Sequence, residues 1–370
     1  MGKFLKKDCI SAYESINPKF KLLGYLNPIT GILISSFYFI VGGWIIHYIF
    51  LGLINTQIID FSAYFGTFTQ NSVPTCLFTL TFLFMCIFFT ARGVKKGIET
   101  ANKVLMPIFA LILLFLVGFS LTLPNANLGL EYMFKPDFSK INSQMILAAL
   151  GQAFFTLSIG MGVLSTYGSY ISEKQNITKS AYLIVLADTL FAILAGIMIF
   201  PAVFAFGLSP GSGAGLVFVT LPNIFAQIPL GHLVSGLFFA LLFCAAVTSG
   251  ISLLEVPCAV FTERFKLSRL KASILLFCLI SLLAVPASLS FGILGDFKIF
   301  NKNIFDFLDF VASNILLPFN SLILCLILGW RLKVDGNLFF KNTFLAKLFE
   351  IGLKYVVPIA LIFLLYVGLR

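Results

Sequence analysis

Charge is what this sequence has least of. Only 11% of its 370 residues are Asp, Glu, Lys or Arg, against 59% hydrophobic residues, and the mean hydropathy is +1.02. That balance excludes a water-soluble fold, which needs far more polar surface. Histidine and useful cysteine patterns are scarce as well. His47 and His232 have no metal-like neighbours in the sequence and read as interfacial packing. The seven cysteines form no CxxC pair, and most fall inside apolar runs, so they read as packing thiols. No P-loop and no serine-histidine constellation is present, which leaves an enzyme without its usual acid-base groups. The opening residues MGKFLKKDC lack the apolar core and cleavage site of a signal peptide.

What fills the sequence instead is a series of apolar runs long enough to cross a hydrocarbon layer of roughly 30 Å. Inside a bilayer each run must satisfy its own backbone hydrogen bonds, so each is expected to be a helix and the fold all-α. The expected spans are 24–53, 74–91, 104–123, 144–171, 180–207, 233–261, 272–293, 304–330 and 352–369, about nine transmembrane helices in a polytopic membrane protein.

Basic residues orient them, because Lys and Arg accumulate on the cytoplasmic side. With Met1 inside, all but five of the 25 basic residues fall in cytoplasmic segments, the exceptions being Lys135, Lys140, Lys298, Lys302 and Arg370. The expectation is a multi-pass protein of the inner (plasma) membrane with a cytoplasmic N-terminus. Its net charge of +10 follows from that topology and from anionic lipid, and nucleic acid is not an expected partner.

Polar residues inside spans are functional candidates by default. Asp188 is an expensive carboxylate in the fifth run. Thr248 and Ser249 in the sixth could bond their own helix or offer a weak oxygen cage to a hard monovalent cation. Glu255, seven residues after Thr248, could line an inner aqueous path or bond a neighbouring helix. The stretch GQAFFTLSIGMG at 151–162 carries three glycines, each costing about 1 kcal/mol in a helix, together with Gln152, Thr156 and Ser158. It invites a break near 155–161. Such a break exposes carbonyls at the end of one half-helix and amides at the start of the next, a pattern suited to a zwitterion at the bilayer centre.

The same residues carry a family resemblance. GQAFFTLSIGMGVLSTYGSY, FPAVFAF at 200–206, LVFVTLPNIFAQIPLG at 216–231, AAVTSGISLLEVP at 245–257 and KLSR at 266–269 resemble the neurotransmitter:sodium symporters, specifically bacterial amino-acid transporters with the leucine-transporter fold. ARGVKKGIE at 91–99, Met106-Pro107 and YMFKPDF at 132–138 fit too. The resemblance implies a sodium-coupled amino-acid symporter. It places Phe155, Thr156, Ser158 and Met161 in the unwound segment that contacts substrate, with Ile34, Tyr38 and Leu253 walling the pocket. It assigns Thr156 to a first sodium and Ala245, Thr248 and Ser249 to a second. Anchored on LAG at 194–196 and Pro201, it sets Ala187 where relatives carry a sodium-ligating Asn and Phe191 where some carry a fixed negative charge. Asp188 then stands open as a sodium ligand or as the charge that takes the place of chloride. Met161, flexible where relatives have Phe, points to a bulky apolar or aromatic amino acid.

The family also carries two earlier spans, the first a broken helix with a Gly-Asn-x-x-Trp-Arg-Phe-Pro run, which nothing here matches. The expected organisation is therefore an incomplete 5+5 inverted repeat. Residues 1–23 form a cytoplasmic segment, 24–123 three helices of an incomplete first repeat, and 124–143 an extracellular loop. Residues 144–330 form the complete second five-helix repeat, with its broken helix at 144–171, and 331–370 a cytoplasmic linker and final span. On this reading Met1 resembles an internal methionine, and the expectation is a truncated or split symporter whose two further helices come either from a separate upstream polypeptide or from an earlier start of the same chain. The competing expectation is a transport-incompetent remnant or an interaction subunit.

Overall fold

The computed structural model describes residues 1–54, 58–208, 211, 213–228 and 230–369, with only the backbone of Lys140. Arg370 and Pro229 lie outside the described residues. Among the described residues eight helices are long and apolar enough to cross a membrane, and a ninth run is broken in two.

Polar residues set the helix starts. After a short turn of helix, Asp8 caps α1 (Cys9–Ile16) by accepting from the amides of Ile10 and Ser11. α2 (Lys21–Ile54), α3 (Ser72–Ala91) and α4 (Val94–Leu121) follow. The broken run is α5 (Ser143–Thr156) and α6 (Val163–Tyr170), with Asn142 capping α5 through the Met145 amide. Asn176 caps α7 (Ile177–Ala205) in the same way. α8 (Gly231–Glu263), α9 (Arg269–Leu289), α10 (Ile304–Arg331) and α11 (Thr343–Gly368) complete the chain, α9 capped by Ser268 and α10 by Asn303. The last span begins at Thr343, earlier than 352, because a wide turn at Gly352–Val356 keeps it continuous. The segment 124–143 contains a further helix, Ala126–Phe134, packed on α7.

The core lies where α2 runs along α8 and α3, with Phe39, Ile40, Phe82, Val247, Ile251 and Leu254 almost wholly buried. Small residues let the backbones meet: a methyl on Gly52 of α2 would lie 2.6 Å from Gly236 of α8. Hydroxyls in these spans mostly turn back on their own helix, as Ser35 does on Gly31 and Thr79 on Thr75. His47 stacks on Phe68 at 3.9 Å and meets the Tyr64 hydroxyl at 2.9 Å. Burial is uneven. α5 buries only Leu147, and hardly any of the apolar window of α7 is covered.

Candidate functional site

The break between α5 and α6 follows from the glycines the sequence places there. Leu157 and Ser158 still donate to Ala153 and Phe155, Ile159 reaches back to Phe154, and the ladder resumes with Thr166 donating to Gly162. Between them Ser158, Gly160 and Gly162 hold φ values of +53°, +85° and +79°. A side chain at Gly160 would meet the Leu317 carbonyl and the Ser321 hydroxyl of α10, both 2.4 Å from its Cβ. Gly160→Ala is therefore expected to lower stability by about 2–3 kcal/mol, since strained φ and overpacking add. Denaturant unfolding of the solubilised protein checks this, and an unchanged midpoint would mean that α10 yields freely.

Two groups of candidate residues form around this break. In the first, the Thr156 hydroxyl at the end of α5 donates to Asp188 Oδ2 on α7 at 3.2 Å. Thr156 is exposed and Asp188 half-buried. The neighbouring Ala187, where the resemblance sets the sodium-ligating position, is one residue and about 100° away around the helix. Phe191 packs on Phe109 of α4 at 5.3 Å.

The second group joins α2 to α8. The Tyr38 hydroxyl donates to the Ala246 carbonyl at 3.3 Å, and Ser249 is also within its hydrogen-bond reach. Thr248 donates to the Cys244 and Ala245 carbonyls at 3.1 and 2.9 Å, so its proton points back along α8 and its lone pairs stay available. Ser249 is exposed. Ile34, Met161 and Leu253 are buried in the common core, while Phe155 is exposed and lines a cavity of about 390 Å³ with Gly151, Gln152, Asn314 and Leu364. Among the described residues no hydrogen bond links the two groups.

Glu255 bonds its neighbours. It is fully buried, accepts from the Tyr170 hydroxyl of α6 at 2.7 Å and pairs with the Arg269 guanidinium of α9. Arg269 also donates to the Thr90 carbonyl of α3 at 2.8 Å, and the Tyr167 hydroxyl meets Ser252 at 3.1 Å. One carboxylate thereby ties four helices together beside the C-terminal end of α6. That same end receives Lys3 and Lys6, which donate to the Gln175 and Ile171 carbonyls.

Sequence reasoning passed over Asn27, Thr30 and Asn320, three buried polar residues that touch the break or its supports. The signal was available, since an amide such as Asn320 inside an apolar span is a candidate by default. Among the described residues no group of three His, Cys, Asp or Glu could hold a metal ion of the kind they ligate.

A membrane helix broken at its centre, with a carboxylate beside the end of its first half, is a pattern found in secondary transporters. The comparisons narrow this. The sodium:neurotransmitter symporter family matches residues 57–369. An uncharacterized sodium-dependent transporter of Bacillus subtilis, YhdH, is 37% identical over 98% of this chain and 83% of its own length. A second uncharacterized sodium-dependent transporter, from Haemophilus influenzae, is 34% identical over 98% of this chain and 84% of its own. The crystal structure of MhsT in complex with L-phenylalanine superposes with a TM-score of 0.89 at 41% identity, covering all of this chain and 86% of that one. This chain belongs to the sodium:neurotransmitter symporter family. It is a sodium-dependent membrane transporter and not an enzyme.

Proposed function

We propose that the protein is a sodium-coupled amino-acid symporter in a plasma membrane, with its N-terminus on the cytoplasmic side. The observation that carries this is the Thr156 hydroxyl held 3.2 Å from the Asp188 carboxylate at the mouth of the helix break. A carboxylate, a hydroxyl and free carbonyls are the hard oxygen donors a sodium ion needs. Thr156 and Asp188 would hold one sodium; the Ala245 carbonyl with the Thr248 and Ser249 hydroxyls would hold a second. Substrate would lie against Phe155, Thr156, Ser158 and Met161 on one side and Ile34, Tyr38 and Leu253 on the other, its carboxylate toward the Tyr38 hydroxyl. Sodium bound beside that carboxylate neutralises it and favours the closed arrangement, which couples the two solutes by differential affinity. The phenylalanine bound to MhsT supports an amino acid as substrate, and the flexible Met161 agrees with a bulky apolar one.

The half-site is open on one side. Gln152, Thr156, Thr189 and Ser249 are exposed on apolar helices; Thr156 bonds Asp188 and Thr189 its own Val185 carbonyl, yet an outward face carrying such polar groups is suited to meeting protein or water and not lipid. We infer that further helices close this face, in a longer form of the chain or from a separate polypeptide. Labelled L-amino acids, L-phenylalanine included, should bind saturably in sodium and fall to background in potassium. This is expected once the chain is joined to the portion of the Bacillus subtilis relative outside the match, and not for the 370 residues alone. Background binding in every arrangement would favour a transport-incompetent subunit.

A further inference from the structure

The turn between α5 and α6 is gripped from outside by one side chain. Asn320 of α10 is 2% exposed, and its Nδ2 donates both protons, one to the Gly160 carbonyl at 3.0 Å and one to the Thr30 hydroxyl oxygen at 2.9 Å. The orientation of the amide is fixed by its partners. A carbonyl can only accept, and Thr30 has already committed its proton to the Leu26 carbonyl at 2.8 Å. Among the described residues Asn320 Oδ1 has no partner. A residue kept only for packing would avoid that unpaired oxygen, as leucine of similar size does, so the two donor bonds are what the amide supplies.

What they join matters. Gly160 belongs to a turn with three positive φ values and few backbone bonds of its own, whose position must come from outside contacts. Thr30 lies on α2 four and eight residues before Ile34 and Tyr38, hence on the face that carries the proposed pocket wall. Asn320 therefore links the unwound wall to the helical wall directly.

We propose that Asn320 is a positioning residue that fixes the spacing between the unwound segment 157–162 and the Thr30–Ile34–Tyr38 face of α2, and through it the affinity of the site. The proposal rests on the transport reading above. It is tested with Asn320→Leu, which keeps the bulk and removes both donors, and Thr30→Val, which removes one acceptor and leaves the Gly160 bond. In the purified chain, Asn320→Leu should speed hydrogen exchange across 157–166 by about tenfold while the α2, α3 and α8 cores keep wild-type rates. Thr30→Val should give a smaller increase in the same segment. In the binding-competent form, Asn320→Leu should raise the half-saturating amino-acid concentration by about tenfold with the number of sites unchanged. Unchanged exchange in 157–166 for both variants, or an increase spread evenly over the protein, overturns the proposal. So does wild-type affinity in Asn320→Leu. A wild-type protein that binds nothing in sodium sinks the transport reading instead, and the exchange measurement still decides whether Asn320 holds the turn.

Discussion

Replacing Asp188 with Asn should raise the half-saturating sodium concentration by about three orders of magnitude and leave the folded protein as stable as before. Two unit charges about 4 Å apart at an effective dielectric near 20 attract by about 4 kcal/mol, which is about a thousandfold in affinity. Asn keeps the shape and an acceptor oxygen for Thr156 but removes that attraction. Folding is expected to tolerate the change because the carboxylate is half-buried, and its described hydrogen-bond partner is a single hydroxyl. Titrating sodium against amino-acid binding, with thermal unfolding run alongside, separates the two effects. A sodium dependence like that of the wild type would remove Asp188 from the cation site. Loss of binding together with loss of fold would make it a structural carboxylate.

The second large effect is expected at Glu255. Glu255→Ala strands the Arg269 guanidinium, whose side chain is only 25% exposed, and frees the Tyr170 hydroxyl. Removing one member of a buried pair costs about 3–5 kcal/mol, mostly because the remaining charge stays desolvated without a counterion. Adding Arg269→Ala should therefore recover part of the loss, which is the signature of a stranded charge. Because the pair and its bonds connect α3, α6, α8 and α9, the damage is expected to reach α6 first. Denaturant unfolding of the two single variants and the double variant decides it. A double variant less stable than Glu255→Ala by the full cost of Arg269→Ala would mean that the two residues act independently.

Much of the architecture could be read from residues alone. Apolar runs without charge dictate helices in a bilayer, and nine of them were expected at nearly the observed positions. The break was legible too, because glycine, serine and threonine together in the middle of an apolar run leave the backbone few reasons to stay helical. Boundaries were less legible. Asn176 and Ser268 start their helices at Ile177 and Arg269, ahead of the expected 180 and 272, since a cap satisfies amides in the polar zone that hydropathy ignores, whereas the helix after Asn303 starts at the expected 304.

Pairings between distant segments were another matter. For Glu255 an aqueous path and a neighbouring helix were equally open from the sequence, and only the packing of α6 and α9 against α8 delivered Tyr170 and Arg269 to it. On α7 the resemblance set Ala187 at the sodium-ligating place and left Asp188, one residue on, open as a ligand or a fixed charge; the hydroxyl of Thr156 meets Asp188. A helix turns about 100° per residue, so a one-residue shift in register turns a different side chain toward Thr156, and motif spacing alone does not fix which one meets it. Asn320 shows the same limit, with 160 residues between it and the carbonyl it holds. The sequence by itself determined what depends on local chemistry in lipid: a helical membrane protein, its spans and its weak point. Tertiary structure decided which polar groups meet, because that depends on the rotation and crossing of helices, and hydropathy carries no record of either.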